Sequence, residues 1–174
     1  LESGEKMHYF IIRQDKSLTT APKIISYKSS LFNKRNLTDK ISIMYVQKNN
    51  TIDFVDFIDE PLLLVSDSFK EILKKYSPSF EYKAVVLTEP EKQVQQVYWN
   101  VELPEVKCLS PKTEYYPNGL IKKMVIDVRQ AEGYSMFKIN NKIETYCIIR
   151  LELAESILRR GMWGFVLDEP EEEV

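Results

Sequence analysis

Pro61-Leu62-Leu63-Leu64-Val65-Ser66-Asp67-Ser68-Phe69-Lys70-Glu71-Ile72-Leu73-Lys74-Lys75-Tyr76, with Val85-Val86-Leu87 close behind, decides the fold class. The apolar run 62–65 reads as a short strand. Phe69, Ile72, Leu73 and Tyr76 then fall at i, i+3, i+4 and i+7, which places them on one face of a helix. Ser68 with Glu71 offers a capping box, Ser66 is a rival N-cap, and Lys74 and Lys75 suit the negative end of the helix dipole. Residues 80–88 supply the following strand. The succession strand, helix, strand returns 85 positions later, where Ile148-Ile149 replaces Leu63-Leu64, Ile157-Leu158 replaces Ile72-Leu73, and Arg159-Arg160 replaces Lys74-Lys75. A duplicated unit and convergent patterning of any buried strand-helix pair both account for this.

Outward from these two units, strand-like runs occur at 7–13, 23–27, 41–47, 93–99, 120–128, 135–139, 146–150 and 163–167. Pro117-Asn118-Gly119 is the strongest turn signal, because Asn and Gly tolerate positive φ. The second helix spans 151–160, with Leu151, Ala154, Ile157 and Leu158 on one face and Gly161 placed to end it. We therefore expect an α+β fold: a mainly antiparallel sheet, two principal helices, and two strand-helix-strand halves. Residues 1–6 read as a tag remnant or frayed end, 7–167 as one domain with possible halves 7–90 and 91–167, and 168–174 as a solvated acidic tail.

The 174 residues are 44% hydrophobic and 29% charged. A chain of this length buries about 70% of its extended surface, enough for a core without staples. The net charge of −2 argues against nucleic-acid or membrane binding driven by overall charge, and no apolar run approaches the ~20 residues of a spanning helix. Charge is nonetheless uneven. Residues 1–50 carry +5, 51–100 carry −4, 101–150 carry +2 and 151–174 carry −5. Cys108 and Cys147 sit among apolar neighbours in no metal-binding spacing, as inert thiols of a reduced, cytoplasmic protein do. His8 is the sole imidazole, at the start of a strand-like run. No phosphate-cradle, zinc-helix or nucleophile-elbow motif occurs, so no catalytic, cofactor or metal residues are assigned.

Three groups of side chains remain as candidates. Asp53, Asp56, Asp59 and Glu60 are the sharpest carboxylate cluster. Helical spacing would set Asp53 and Asp56 side by side, for a divalent ion or acid-base work in a small enzyme. The adjacent pairs Tyr98-Trp99 and Tyr115-Tyr116 suit protein binding, the second lying beside the turn at 117–119. Lys23, Lys28, Lys34, Arg35 and Lys40 could serve a nucleic-acid-binding regulator, although they are spread over separate segments.

The order of the blocks adds a further reading. Asp56-Phe57-Ile58, the run 61–67, the helix through Leu73, Phe80-Glu81-Tyr82-Lys83 and Val85-Val86-Leu87 resemble the first half of the bacterial immunity protein eleven family, formerly a domain of unknown function. Tyr98-Trp99, Cys108-Leu109-Ser110, Phe137, Ala154-Glu155-Ser156-Ile157-Leu158, Gly161 and Gly164-Phe165 resemble its later blocks, so the likeness covers 7–167. It implies a small cytoplasmic antidote that binds a cognate toxin domain and covers its active site, with no cofactor, no nucleic-acid or membrane partner and no turnover. Partner-binding candidates are then Tyr98, Trp99, Tyr115, Tyr116, Asp53 and Asp56. Against a nuclease toxin, the acidic stretch 51–60 or the acidic tail would complement a basic groove.

Overall fold

The computed structural model describes residues 8–25 and 41–174. The fold is mixed α+β with predominantly antiparallel sheets. The chain divides into two interleaved compact units rather than sequential halves at 7–90 and 91–167. Of the described residues, one comprises 8–13, 103–160 and 166–174, and the other comprises 14–25, 41–102 and 161–165.

The second unit is organised by the β-hairpin of β5 (Tyr82–Glu89) and β6 (Val94–Val101). The turn between them is closed by Glu89, whose buried carboxylate accepts the N–H groups of Glu91 and Lys92 at 3.1 and 2.8 Å. A buried charge needs such donors. Strands β2 (Ser42–Tyr45), β3 (Phe57–Ile58) and β4 (Leu64–Val65) complete a five-stranded sheet in the order β2-β5-β6-β4-β3, with β2 parallel to β5 and the rest antiparallel. Alternation sends Met44, Val85, Leu87 and Tyr98 into one core, which Val55, Ile58 and Leu64 share.

Helix α1 (Asp67–Tyr76) links β4 to β5 and buries Phe69, Ile72 and Leu73. Its N-cap is Ser66, whose Oγ accepts from Phe69 N–H at 3.2 Å and donates to Asp56 Oδ1 at 2.6 Å. The capping box expected from Ser68 is not used. The helix starts two residues too early for it, and Ser66 has the second partner that fixes it. Phe57, Phe69 and Phe165 form an aromatic triad with centroids 6.0 to 6.5 Å apart, pairs that contribute about 0.5–1.5 kcal/mol each beyond burial.

The first unit carries a four-stranded sheet in the order β10-β11-β1-β12, made of β1 (Tyr9–Gln14), β10 (Met136–Asn140), β11 (Thr145–Arg150) and β12 (Phe165–Asp168). Tyr9, Ile11, Phe137, Ile139, Tyr146 and Ile148 share one face with Val106, Cys108 and Ile126. Helix α3 (Leu151–Arg159) follows β11, packs on it and buries Leu153, Ala154 and Ile157. Gly161 follows with φ +69°, as the expected stop requires. A short ribbon joins β7 (Glu114–Tyr115) to β8 (Ile121–Lys123). Strand β9 (Val125–Asp127) leads into the single turn α2 (Val128–Ala131), capped by Asp127.

The two strand-helix-strand units share a plan. In each, the helix-linked strands (β4 and β5, β11 and β12) are separated by one inserted strand, β6 or β1. That strand runs antiparallel to the first of the pair, and the hairpin partner β3 or β10 lies outside. The inserted strand comes from after the pair in one case (β6) and from before it in the other (β1), and only the five-stranded sheet adds an outer strand, β2, beside β5. Of the runs expected from sequence, 23–27 leaves only an isolated bridge, Ile24 to Val46, and residues 26 and 27 lie outside the described residues, as do 1–7.

The acidic tail is corrected. Residues Glu171–Glu173 form β13, parallel to β9, in place of a solvated end.

Gly164 sits at φ +92°, where an added Cβ would lie 2.7 Å from Val55 Cγ1 and closer still to its Cβ. Gly164→Ala is expected to lose about 2–4 kcal/mol through overpacking and left-handed backbone strain. Gly133→Ala, at φ +88° in open space, should lose only about 1–2 kcal/mol. Urea unfolding of both variants reads the difference as a larger drop in midpoint for Gly164.

Candidate functional site

Tyr115 and Tyr116 stand where a short ribbon turns back on itself. Tyr116 N–H donates to Leu120 O and Gly119 N–H to Tyr116 O, both at 2.8 Å, while Asn118 Oδ1 accepts from Leu120 N–H at 3.1 Å. Gly119 at φ +87° makes the reversal possible. The turn is braced from the β10-β11 connection. Asn141 Nδ2 donates to Gly119 O at 3.3 Å, and Asn141 Oδ1 accepts from Ile143 and Glu144 N–H at 2.7 and 3.1 Å. On this frame Tyr115 is 51% and Tyr116 49% exposed, with Ile143 at 53%. Two large amphipathic rings thus face solvent on a backbone whose conformation is already fixed, so a partner would lose little entropy in ordering them.

The other aromatic pair is not presented this way. Tyr98 is fully buried, and its hydroxyl donates to Val55 O at 2.7 Å. Burial first, and the Asp56 charge second, push its pKa well above the usual range. Trp99 is half-buried. Its indole N–H donates to Asp67 Oδ1 at 2.9 Å, and its ring face lies 3.4 Å from Lys70 Nζ. Lys70 is itself buried and paired with Asp67 at 3.0 Å. The hydrogen bond from Lys70 holds the Asp67 carboxyl below the usual carboxylate range. Trp99 therefore shields a buried cation.

The carboxylates of 53–60 are separated by their roles. No helix forms there. Residues 53–55 are irregular and Val55, Phe57 and Ile58 are buried, so Asp53 and Asp56 do not share a helical face. Asp56 Oδ1 accepts from Ser66 Oγ–H and Oδ2 from Trp163 N–H at 3.0 Å. Asp59 accepts Gln14 N–H at 2.9 Å, and Lys16 Nζ lies 3.4 Å from Asp59 and 3.0 Å from Glu60. Asp53 is half-buried. Among the described residues no group of three or more His, Cys, Asp or Glu is placed to hold a metal ion. Of the basic residues considered for nucleic acid, Lys23 is exposed and Lys28, Lys34, Arg35 and Lys40 lie outside the described residues.

Sequence reasoning set the carboxylates of β13 in solvent or against a basic partner, and missed their pairing within this chain. Glu172 Oε1 accepts Tyr9 N–H at 2.7 Å and its Oε2 lies 3.3 Å from His8 Nδ1. Glu171 pairs with Lys123 at 2.9 Å, and Glu173 meets both Ser110 Oγ and Lys112 Nζ. The hydrogen bond from Lys112 comes first in lowering the Glu173 pKa, followed by that from Ser110. Run composition alone points to solvent here. No local signal marks the pairing, because Lys112 and Lys123 meet these carboxylates only after the chain folds.

No protein-family model matches this sequence, and no curated protein matches it. No helix among the described residues is long and apolar enough to cross a membrane.

Cys108 is buried and Cys147 half-buried, and neither is in a disulfide. Burial pushes the Cys108 pKa up to about 11, which leaves little reactive thiolate near neutrality. In a Cys147→Ser variant, a thiol reagent at mildly alkaline pH is expected to label Cys108 only as denaturant unfolds the protein. Rapid labelling of the native state would show that the first unit's core opens readily.

Proposed function

We propose that this chain is an immunity-type protein that binds a cognate toxin domain and neutralises it by covering its active site, acting in the cytoplasm with no cofactor and no turnover of its own. The resemblance across residues 7–167 supplies the role. The observation that carries a binding reading is the tyrosine pair at the β7-β8 turn, half exposed on a preformed frame. Tyrosines so held are the side chains that dominate protein interfaces, because they bury large area with few rotors to freeze. The alternative sites proposed for toxin contact are largely engaged within the fold. Tyr98 and Asp56 bond to backbone groups, Trp99 covers Lys70, Glu171 and Glu173 of β13 face lysines, and Glu172 faces Tyr9 N–H and His8. A slow off-rate would follow from centring the contact on Tyr115 and Tyr116 with the polar groups around them as a rim.

The test pairs this chain with the toxin domain encoded beside its gene. Co-expression should rescue growth. Tyr115→Ala and Tyr116→Ala should each cost about 2 kcal/mol of binding, roughly thirtyfold in Kd, with unfolding midpoints unchanged because both rings are already half in water. Failure of the unsubstituted chain to bind or rescue would end the immunity reading, whereas rescue untouched by both substitutions would move the interface elsewhere.

A further inference from the structure

The chain's own extended acidic strand, β13, pairs along the β9 edge. Glu171 N–H donates to Met124 O at 2.9 Å, and the parallel register sets Glu171, Glu172 and Glu173 beside Val125, Ile126 and Asp127. Alternation then sorts the side chains. Glu171 and Glu173 reach Lys123, Lys112 and Ser110 on one side. Glu172 turns the other way, to Tyr9 N–H and His8. Every glutamate of the strand has a matched donor, and the strand brings no apolar side chain of its own.

Two of the three side-chain contacts that seat this strand are exposed at their lysine ends. The segment is three residues long and Val174 beyond it is 82% exposed; Lys112, Lys123 and Glu171 are 75%, 42% and 61% exposed, Glu173 is 24% and Glu172, the one enclosed contact, 10%. Exposed ion pairs contribute little and are screened by salt. Segments held mainly by such contacts open locally without unfolding the rest. The tether through Glu169 and Pro170 nevertheless supplies a high effective concentration, so a polar strand can stay seated with little intrinsic affinity.

We propose that the groove formed by β9, Lys112, Lys123, Ser110 and the Tyr9 N–H is a docking site for an acidic β-strand donated by another protein, with β13 as its displaceable internal occupant. Recognition is by strand addition, the ladder supplying affinity and the lysines selecting carboxylates at alternate positions. This proposal does not depend on the toxin reading.

The test uses the full chain carrying Glu171→Lys and Glu173→Lys, which sets like charges against Lys112 and Lys123. The probe is a fluorescent peptide with the sequence Glu169-Pro170-Glu171-Glu172-Glu173-Val174. The variant should stay folded and monomeric and bind the probe roughly tenfold or more tighter than the unsubstituted chain, with affinity falling as salt rises and lost on adding Lys112→Glu. In the unsubstituted chain, the Glu171 amide should exchange hydrogen faster than the amides of Ile148 and Ile149, and faster again in high salt. Equal or absent peptide binding by a folded variant would overturn the proposal. So would unfolding of the variant together with core-like protection of Glu171, because the strand would then be an integral part of the unit. Dimerisation of the unsubstituted chain through exchange of β13 would overturn it in favour of a second copy as the occupant.

Discussion

Asp56 is the constraint on which the second unit depends. Its carboxylate takes a proton donor from each side, Ser66 Oγ–H and Trp163 N–H, while its own N–H donates to Trp163 O and its carbonyl accepts from Ser66 N–H. Four hydrogen bonds on one residue tie the start of α1 to the segment 161–165, which is distant in sequence. Around this point Gly164 is pressed against Val55, and Phe165 completes the ring triad with Phe57 and Phe69. Removing the carboxylate would leave a backbone N–H and a cap hydroxyl without their acceptor, a larger loss than one hydrogen bond.

The first unit reaches the same strand-helix-strand plan with a different device. Its sheet is centred on β11 and β1, paired from Tyr9–Arg150 to Ile12–Cys147, and its edge regions are closed by polar contacts instead of rings. Tyr9 joins the two layers of that arrangement. Its ring meets Phe137 edge-on at 5.7 Å, its hydroxyl donates to Ala131 O at 2.9 Å, and its N–H is held by Glu172. Burial raises its pKa to about 12, so the hydroxyl remains a donor throughout the physiological range.

Much of the candidate site was legible and much was not, for a reason visible at single residues. The turn at Pro117-Asn118-Gly119 could be read because positive φ at Gly119 is a local requirement, and the neighbouring tyrosines are displayed as that turn dictates. Tyr98 could not be separated from Trp99 by type or spacing. Which of two adjacent aromatic residues enters the core depends on register, and Val85 opposite Tyr98 settles it. The acidic stretch 51–60 was misjudged as a possible helical face, because its carboxylates answer to Ser66, Trp163, Gln14 and Lys16 instead of to each other.

By itself the sequence determined the α+β class, both principal helices, the termination of the second at Gly161 and most strands, since each rests on periodicity or backbone preference within a few residues. Tertiary structure alone decided how the two units interleave, that Ser66 and not Ser68 caps α1, and that Glu171–Glu173 becomes a strand. Those outcomes hang on partners such as Tyr9 and Glu172, 163 positions apart. Local pattern is blind to them, because a carboxylate's choice between water and a donor is made only once folding has brought the donor near.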